Sequence, residues 1–248
     1  MSTLLLDIGN SRLKWALQAD ADAPIPAAQA IAHAGAPASA LAALAAQWQG
    51  AAPQAVCIAH VTGSAHEAAL VQAVQQAWHC TPRIARSRSE CAGLKSAYAD
   101  GSRLGVDRWL AMLALWTRQP AAFAVASAGT ALTFDAVDAS GQHQGGVIAP
   151  GLSAMIETTL GHTRFAVGEM AAAFERGLGR DTEACVRQGG LHAAAGLLDR
   201  LGAQHPGSKH LAGGDALTLQ AHLQGRWQIE ADLVLQGLAA WARLASVG

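Results

Sequence analysis

The chain lacks most of what a simple reading would look for. Its four cysteines, Cys57, Cys80, Cys91 and Cys185, are scattered and form no CxxC pair. That excludes the spacing of a zinc knuckle or a thioredoxin-like site and suits a reducing, cytoplasmic setting. Net charge is nearly absent, since 17 Lys and Arg against 18 Asp and Glu leave −1. Such a balance gives no electrostatic footprint for nucleic acid or an anionic membrane. The short basic run of Arg83, Arg86 and Arg88 has nothing basic around it and reads as a solvated loop. Long hydrophobic runs are missing too. The longest strongly apolar stretch, Trp109 to Trp116, falls far short of the roughly 18 residues a membrane helix needs. No basic region precedes Leu4 to Leu6, so no signal peptide is expected. The nucleotide motifs GxxxxGK[ST] and GxGxxG do not occur. These absences together point to a soluble protein with neither a membrane nor a nucleic acid as partner.

What is present is apolar residue. Of 248 residues 51% are hydrophobic and 14% charged, enough to bury one large domain or two small ones. Residues 3–18 read as strand, tight turn at Asp7-Ile-Gly-Asn-Ser11, and second strand. Helical composition at 37–49 and 65–78 flanks a strand near 54–61, an α/β layering. A helix over 105–118 is apolar nearly all round after Asp107 and Arg108, so it must be buried in a core or against a second subunit. After Pro120 the pattern restarts, with strands at 121–127 and 131–138 around the turn at Ser127-Ala-Gly-Thr-Ala131. Helices near 181–204 and 232–245 flank a strand ending in Leu211-Ala-Gly-Gly-Asp215. The spacing from Asp7 to Ser127 relates two similar strand–turn–strand units and indicates a duplicated fold. The expected halves are 1–118 and 119–248.

The turns carry candidate chemistry. Gly9 lets backbone amides approach a phosphate, Asn10 and Ser11 offer hydrogen bonds, and Lys14 offers charge. Asp7 repels phosphate but can hold the Mg²⁺ that accompanies ATP. A plain hairpin would explain the same residues. Thr130 is the donor of the second turn, with Asp135 on the next strand as a further candidate metal ligand. Gly213-Gly214 is a third turn on which adenosine could lie. Three strand-to-glycine turns in this order resemble the ATP-binding fold of actin, hexokinase and Hsp70. A second constellation is Tyr98, the only tyrosine, followed by Gly105-Val-Asp107-Arg108. An Asp there can be a helix cap or dipole partner, whereas Asp paired with Arg also suits an acceptor hydroxyl and carboxylate.

With those motifs in order, the chain resembles the type III pantothenate kinases over nearly its whole length. Asp7-Ile-Gly-Asn-Ser-Arg-Leu-Lys14 matches DxGNxxxK, and Tyr98 with Leu104-Gly-Val-Asp-Arg108 matches Y…LGxDR. Ala128-Gly-Thr-Ala-Leu-Thr-Phe-Asp135 matches AGTAxTxD, and Gly145-Gly-Val-Ile-Ala-Pro-Gly151 matches GGxIxPG. Gly179-Arg-Asp-Thr182 matches GxxT, and Asp232 to Gly237 matches the start of a DLVLxGL segment. The resemblance implies a duplicated ribonuclease H-like, actin-like ATPase fold with the active site in the cleft between two α/β halves. It implies ATP contacts from Asp7, Ile8, Gly9, Asn10, Ser11, Arg12, Leu13, Lys14 and Thr130. Pantothenate contacts would come from Tyr98, Gly105, Val106, Asp107, Arg108 and Thr182, with Asp107 as catalytic base. A homodimer and a monovalent cation, K⁺ or NH₄⁺, are also implied.

Two departures stand out. Ser127 replaces the Asp that is the family's potassium ligand, which weakens the expectation of cation dependence. Thr163-Arg-Phe-Ala166 replaces a Thr-x-Leu-Pro pattern. Two other functions share these motifs: a same-fold kinase for another small hydroxy or carboxylic acid, and a nucleotide-binding transcription accessory protein. Asp7, Asp107 and Arg108 favour catalysis.

Overall fold

A computed structural model describes residues 1–161 and 177–245, and the departure at 163–166 lies outside them. The chain forms two compact units, Met1–Pro120 with the segment from Asp232 onward, and Ala121–Ala231.

In the first unit β1 (Thr3–Ile8), β2 (Arg12–Gln18) and β3 (Gln29–Ala32) precede α1 (Pro37–Ala46), β4 (Ala55–His60), α2 (Ser64–Trp78) and β5 (Arg83–Ile84). A small hairpin of β6 (Glu90–Cys91) and β7 (Leu94–Lys95) leads through Tyr98 to α3 (Val106–Arg118). The second unit holds β8 (Phe123–Ala128), β9 (Ala131–Val137), β10 (His143–Pro150), α4 (Leu152–Gly161), α5 (Thr182–Gln204), β11 (Ser208–Ala212), α6 (Ala216–Gln220) and β12 (Gln228–Ile229). The last helix, α7 (Leu233–Leu244), belongs to the first unit.

The sheet orders are β3-β2-β1-β4-β5 and β10-β9-β8-β11-β12. In each, the first three strands pair antiparallel and the last two join parallel. The same order and the same strand directions occur twice, so the duplication expected from the two turns is real. This is the duplicated ribonuclease H-like, actin-like ATPase fold.

Alternation along β1 sorts its side chains between two layers. Leu4, Leu6 and Ile8 enter a core completed by Leu41, Leu44, Leu70 and Val74 of α1 and α2. Leu5 and Asp7 therefore face the opposite layer, where α3 and α7 pack on β1 and β4. A carboxylate is thus aimed at two helices.

The burial of α3 has an internal cause. Arg108 through Trp116 are all buried within the chain itself, and α7 is the principal neighbour. At the crossing, a Cβ on Gly237 would lie 2.0 Å from the Leu110 carbonyl oxygen, so only glycine permits this approach. The all-round apolar character of 105–118 is therefore satisfied without a second subunit. It also explains why the last helix, assigned by sequence to the second half, returns to the first.

Candidate active site

The turn between β1 and β2 is held from behind. Gly9 N–H donates to the Arg12 carbonyl (3.0 Å) and His33 N–H to the Ser11 carbonyl (3.1 Å). The His33 ring donates from Nε2 to the Gly9 carbonyl (2.8 Å), while its Nδ1 accepts from Gly35 N–H (3.2 Å). His33 is buried, and nothing in the sequence around it signalled this role. Asn10, Ser11 and Arg12 stay exposed at the mouth of the turn. Ile8 and Leu13 are fully buried in the core, so only their backbone can face a ligand.

The fold itself does not demand glycine at position 9. A Cβ there would make only an ordinary 3.6 Å contact, and at Gly129 and Gly214 it would meet nothing within 4 Å. None of the three has a positive φ. Their small size answers no need within the chain, as expected of backbone that a ligand approaches closely. The glycines beneath the second turn behave differently. A Cβ on Gly151 would lie 1.9 Å from the Gly129 carbonyl oxygen, and one on Gly213 would lie 2.1 Å from that of Ala128. Gly151 N–H also donates to the Thr130 carbonyl (3.1 Å). The GGxIxPG segment and the third turn thus pack against the strand and turn that present Thr130.

Charge gathers on the α3/α7 side of β1. Asp7 and Lys14 are cross-strand partners, so their side chains share a face. Burial pushes the Asp7 carboxyl up to about 7, with Lys14 opposing and the carboxylates of Asp107 and Asp232 adding to the rise. Lys14, Asp107 and Asp232 therefore all act on Asp7. The motif containing Asp232 was legible, but its place beside Lys14 depends on the return of α7 to the first unit.

Asp107 occupies the first turn of α3, and its Oδ1 accepts from Arg108 N–H (2.8 Å). Part of its role is therefore the helix-start function weighed from sequence, a carboxylate at the positive end of the helix dipole. The Arg108 side chain is 6% exposed. Its guanidinium donates to the Tyr98 hydroxyl (3.2 Å) and stands 6.0 Å from that ring's centroid. Tyr98, Asp107 and Arg108 form one cluster. Beside it, an open pocket of about 470 Å³ is walled by Leu104, Gly105, Val106, Arg103 and the His60–Glu67 pair, whose Nε2–Oε2 distance is 2.8 Å.

The remaining candidates belong to the second unit. Thr130 is exposed at its turn, and Thr182 is exposed at the start of α5, where Asp181 caps Ala184 N–H (2.8 Å). Asp135 differs from its expectation as a metal ligand. It is 2% exposed and accepts from His143 Nε2 (2.9 Å), which makes it a buried structural partner of the β9–β10 hairpin. Among the described residues no three His, Cys, Asp or Glu side chains are grouped as a metal ion would require. No described helix is long and apolar enough to cross a membrane.

The family described as type III pantothenate kinase matches residues 3–204. Proteins with that description resemble the chain end to end. One from Nitrosococcus oceani is 32% identical over 97% of this chain and 93% of its own. One from Laribacter hongkongensis is 36% identical over 98% and 99%, and one from Xanthomonas oryzae pv. oryzae 38% over 99% of each. Among solved structures, a Baf family protein from Campylobacter jejuni superposes with a TM-score of 0.63 at 17% identity, over 99% of this chain and 100% of its own. The activator of the 2-hydroxyisocaproyl-CoA dehydratase from Clostridium difficile, with bound ADPNP, gives 0.55 at 11%, over 100% and 95%. At those identities the structures share the fold.

Proposed function

The chain belongs to the type III pantothenate kinase family, and from that premise we propose that it transfers the γ-phosphoryl group of ATP to pantothenate. The products are 4′-phosphopantothenate and ADP, at the first step of coenzyme A synthesis. The observation that carries the reading is the meeting of two motifs: the Asp107 carboxylate is close enough to raise the pKa of Asp7 beside the glycine turn.

In the proposed reaction the primary hydroxyl of pantothenate attacks the γ-phosphorus while the bond to the ADP oxygen breaks. Asp107 orients that hydroxyl and accepts its proton late, because the transition state is loose and positioning matters more than basicity. Arg108, held by Tyr98, pairs with the acceptor carboxylate, and a planar guanidinium suits that task. Lys14 and the exposed turn at Asn10 and Ser11 meet the phosphates, as does Thr130, while Thr182 contributes to the acceptor. Mg²⁺ carried with ATP neutralises phosphate charge when bound. Asp7 fits as its protein ligand, since a cation would favour ionisation of a carboxyl raised by burial; Asp135, tied to His143, does not fit.

Ser127 lies half-buried on β8 opposite Thr133 and supplies no charge, so we infer weakened dependence on K⁺ or NH₄⁺. A cytoplasmic homodimer is part of the same reading. Its apolar surface is no longer α3; β10 is a sheet edge with Val147 and Ile148 exposed, as an interface strand would be. The test is ADP release with pantothenate as acceptor, with and without potassium. Release that depends on pantothenate supports the reading, and equal release with unrelated hydroxy acids contradicts it.

A further inference from the structure

We propose that Asp232 is a positioning residue for nucleotide binding, holding the Lys14 ammonium from the start of α7. The proposal rests on the reading of residues 7–14 as the ATP phosphate turn.

The geometry is specific. Asp232 Oδ1 lies 3.8 Å from Lys14 Nζ, with the two side chains 23% and 36% exposed. Its other oxygen, Oδ2, accepts from Ala28 N–H (3.1 Å) in the connection between β2 and β3. The carboxylate is therefore anchored at Oδ2 by a backbone hydrogen bond, which leaves Oδ1 directed at the lysine in a longer ion pair. Asp232 also adopts φ 50, ψ 36, a left-handed conformation that few residues other than Gly, Asn and Asp take readily. Strain of this kind persists where the surroundings hold the residue, and it often marks a functional position. The same connection meets α7 a second time, where Asp22 Oδ1 lies 3.8 Å from Arg243 Nη1. Arg243 lies in the last turn of α7, so the connection touches both ends of the helix, and the Ala28–Asp232 hydrogen bond is the contact at its start.

Lysine has four rotatable side-chain bonds, and an unpaired ammonium at the mouth of the turn would sample many positions. Its cross-strand neighbour Asp7 offers an alternative partner that draws the charge inward along the strand pair. Asp232 approaches from α7 instead and keeps the ammonium in one place before a phosphate arrives. A pair this exposed is worth a few-fold in binding rather than orders of magnitude, and its benefit is reduced freedom in the unliganded protein. Removing the Asp232 charge would also relieve repulsion of the phosphates. That opposing effect gives the proposal its risk, since it has the opposite sign.

The experiment measures the affinity of a non-hydrolysable ATP analogue with Mg²⁺ by titration calorimetry. The proteins are wild type, Asp232→Asn, Lys14→Met and the double variant. Asn tolerates the left-handed backbone and keeps an acceptor for Ala28 N–H; Asp232→Gly, which suits that backbone but gives up the acceptor, is the second variant should the Asn protein be unstable. We expect about fivefold weaker binding from either Asp232 substitution when Lys14 is present, with the melting temperature of Asp232→Asn unchanged, and no further loss in the Lys14→Met background. Non-additivity of this kind is what a purely structural role would not produce. Binding as tight as wild type or tighter, or the same loss with and without Lys14, overturns the proposal. Wild-type protein that fails to bind the analogue at all would remove the ATP reading as well, before any substitution is compared.

Discussion

The Oδ1 atom of Asp107 sits where a side chain on residue 105 would begin: a Cβ on Gly105 would lie 2.7 Å from it. The backbone of Gly105 needs no positive φ (it is −54°), so the glycine serves the carboxylate rather than the turn. Gly105→Ala should leave the fold standing, because the atom displaced is the end of a side chain. The melting temperature should stay within about 2 °C, since roughly half a kcal/mol is involved. Turnover should fall by about 10²-fold, as misplaced catalytic groups do. Parallel thermal melts and steady-state kinetics check this, and unchanged kcat would remove the positioning role of Gly105.

Gly237 presents the opposite case, because its close neighbour is backbone. A methyl group 2.0 Å from the Leu110 carbonyl oxygen forces α3 and α7 apart. Gly237→Ala should cost about 3 kcal/mol, at the upper end of overpacking. That corresponds to a fall of about 10 °C in melting temperature for a chain of this size. A stable variant would mean that the helices do not cross here.

Asp7 sets a pH window. Its carboxyl titrates near 3.8 when unperturbed and near 7 in the folded chain. Between those values the native state keeps a proton that the unfolded state has lost, so stability falls as pH rises through the window and levels off above it. Asp7→Asn removes this penalty. The variant's melting temperature relative to wild type, measured without Mg²⁺ or nucleotide, should rise by about 5 °C from pH 4.5 to pH 7.5. A pH-independent difference would contradict the assigned shift.

Ser127 supplies a test of cation dependence. Potassium titrations of kcat/KM, with sodium holding ionic strength constant, should show weak activation in the natural protein and steeper activation in Ser127→Asp. A carboxylate gains from a nearby cation far more than a hydroxyl does. Identical steep activation in both proteins would show that residue 127 does not set the requirement.

Much of this was legible from residue patterns. The strand–turn–strand repeat at Asp7 and Ser127 is local, and both hairpins formed with their turns in place. Helices at 37–46, 64–78 and 106–118 followed their Ala-rich or apolar composition. The short strands β3, β5 and β12 were not legible, because two to four residues carry no period and are fixed by their neighbours in the sheet. The same limit hid His33, whose hydrogen bond to Gly9 depends on β3 pairing with β2. Asp135 misled for a related reason: its burial partner His143 becomes visible only when β10 folds back. The cover of α3 by α7 joins residues more than 120 positions apart, and Gly237 announces it only once Leu110 is beside it.

The central claim is that Asp107 accepts the proton of an acceptor hydroxyl beside an ATP turn that binds independently of it. Asp107→Asn keeps the size of the side chain and an acceptor for Arg108 N–H while removing the base. The decisive measurement is pantothenate-dependent ADP release by this variant and by wild type, with ATP-analogue affinity measured on the same preparations. The expected result is a kcat reduced at least about 10²-fold with analogue affinity within about threefold of wild type. A variant that keeps more than about a tenth of wild-type kcat would contradict the assignment of Asp107 as base.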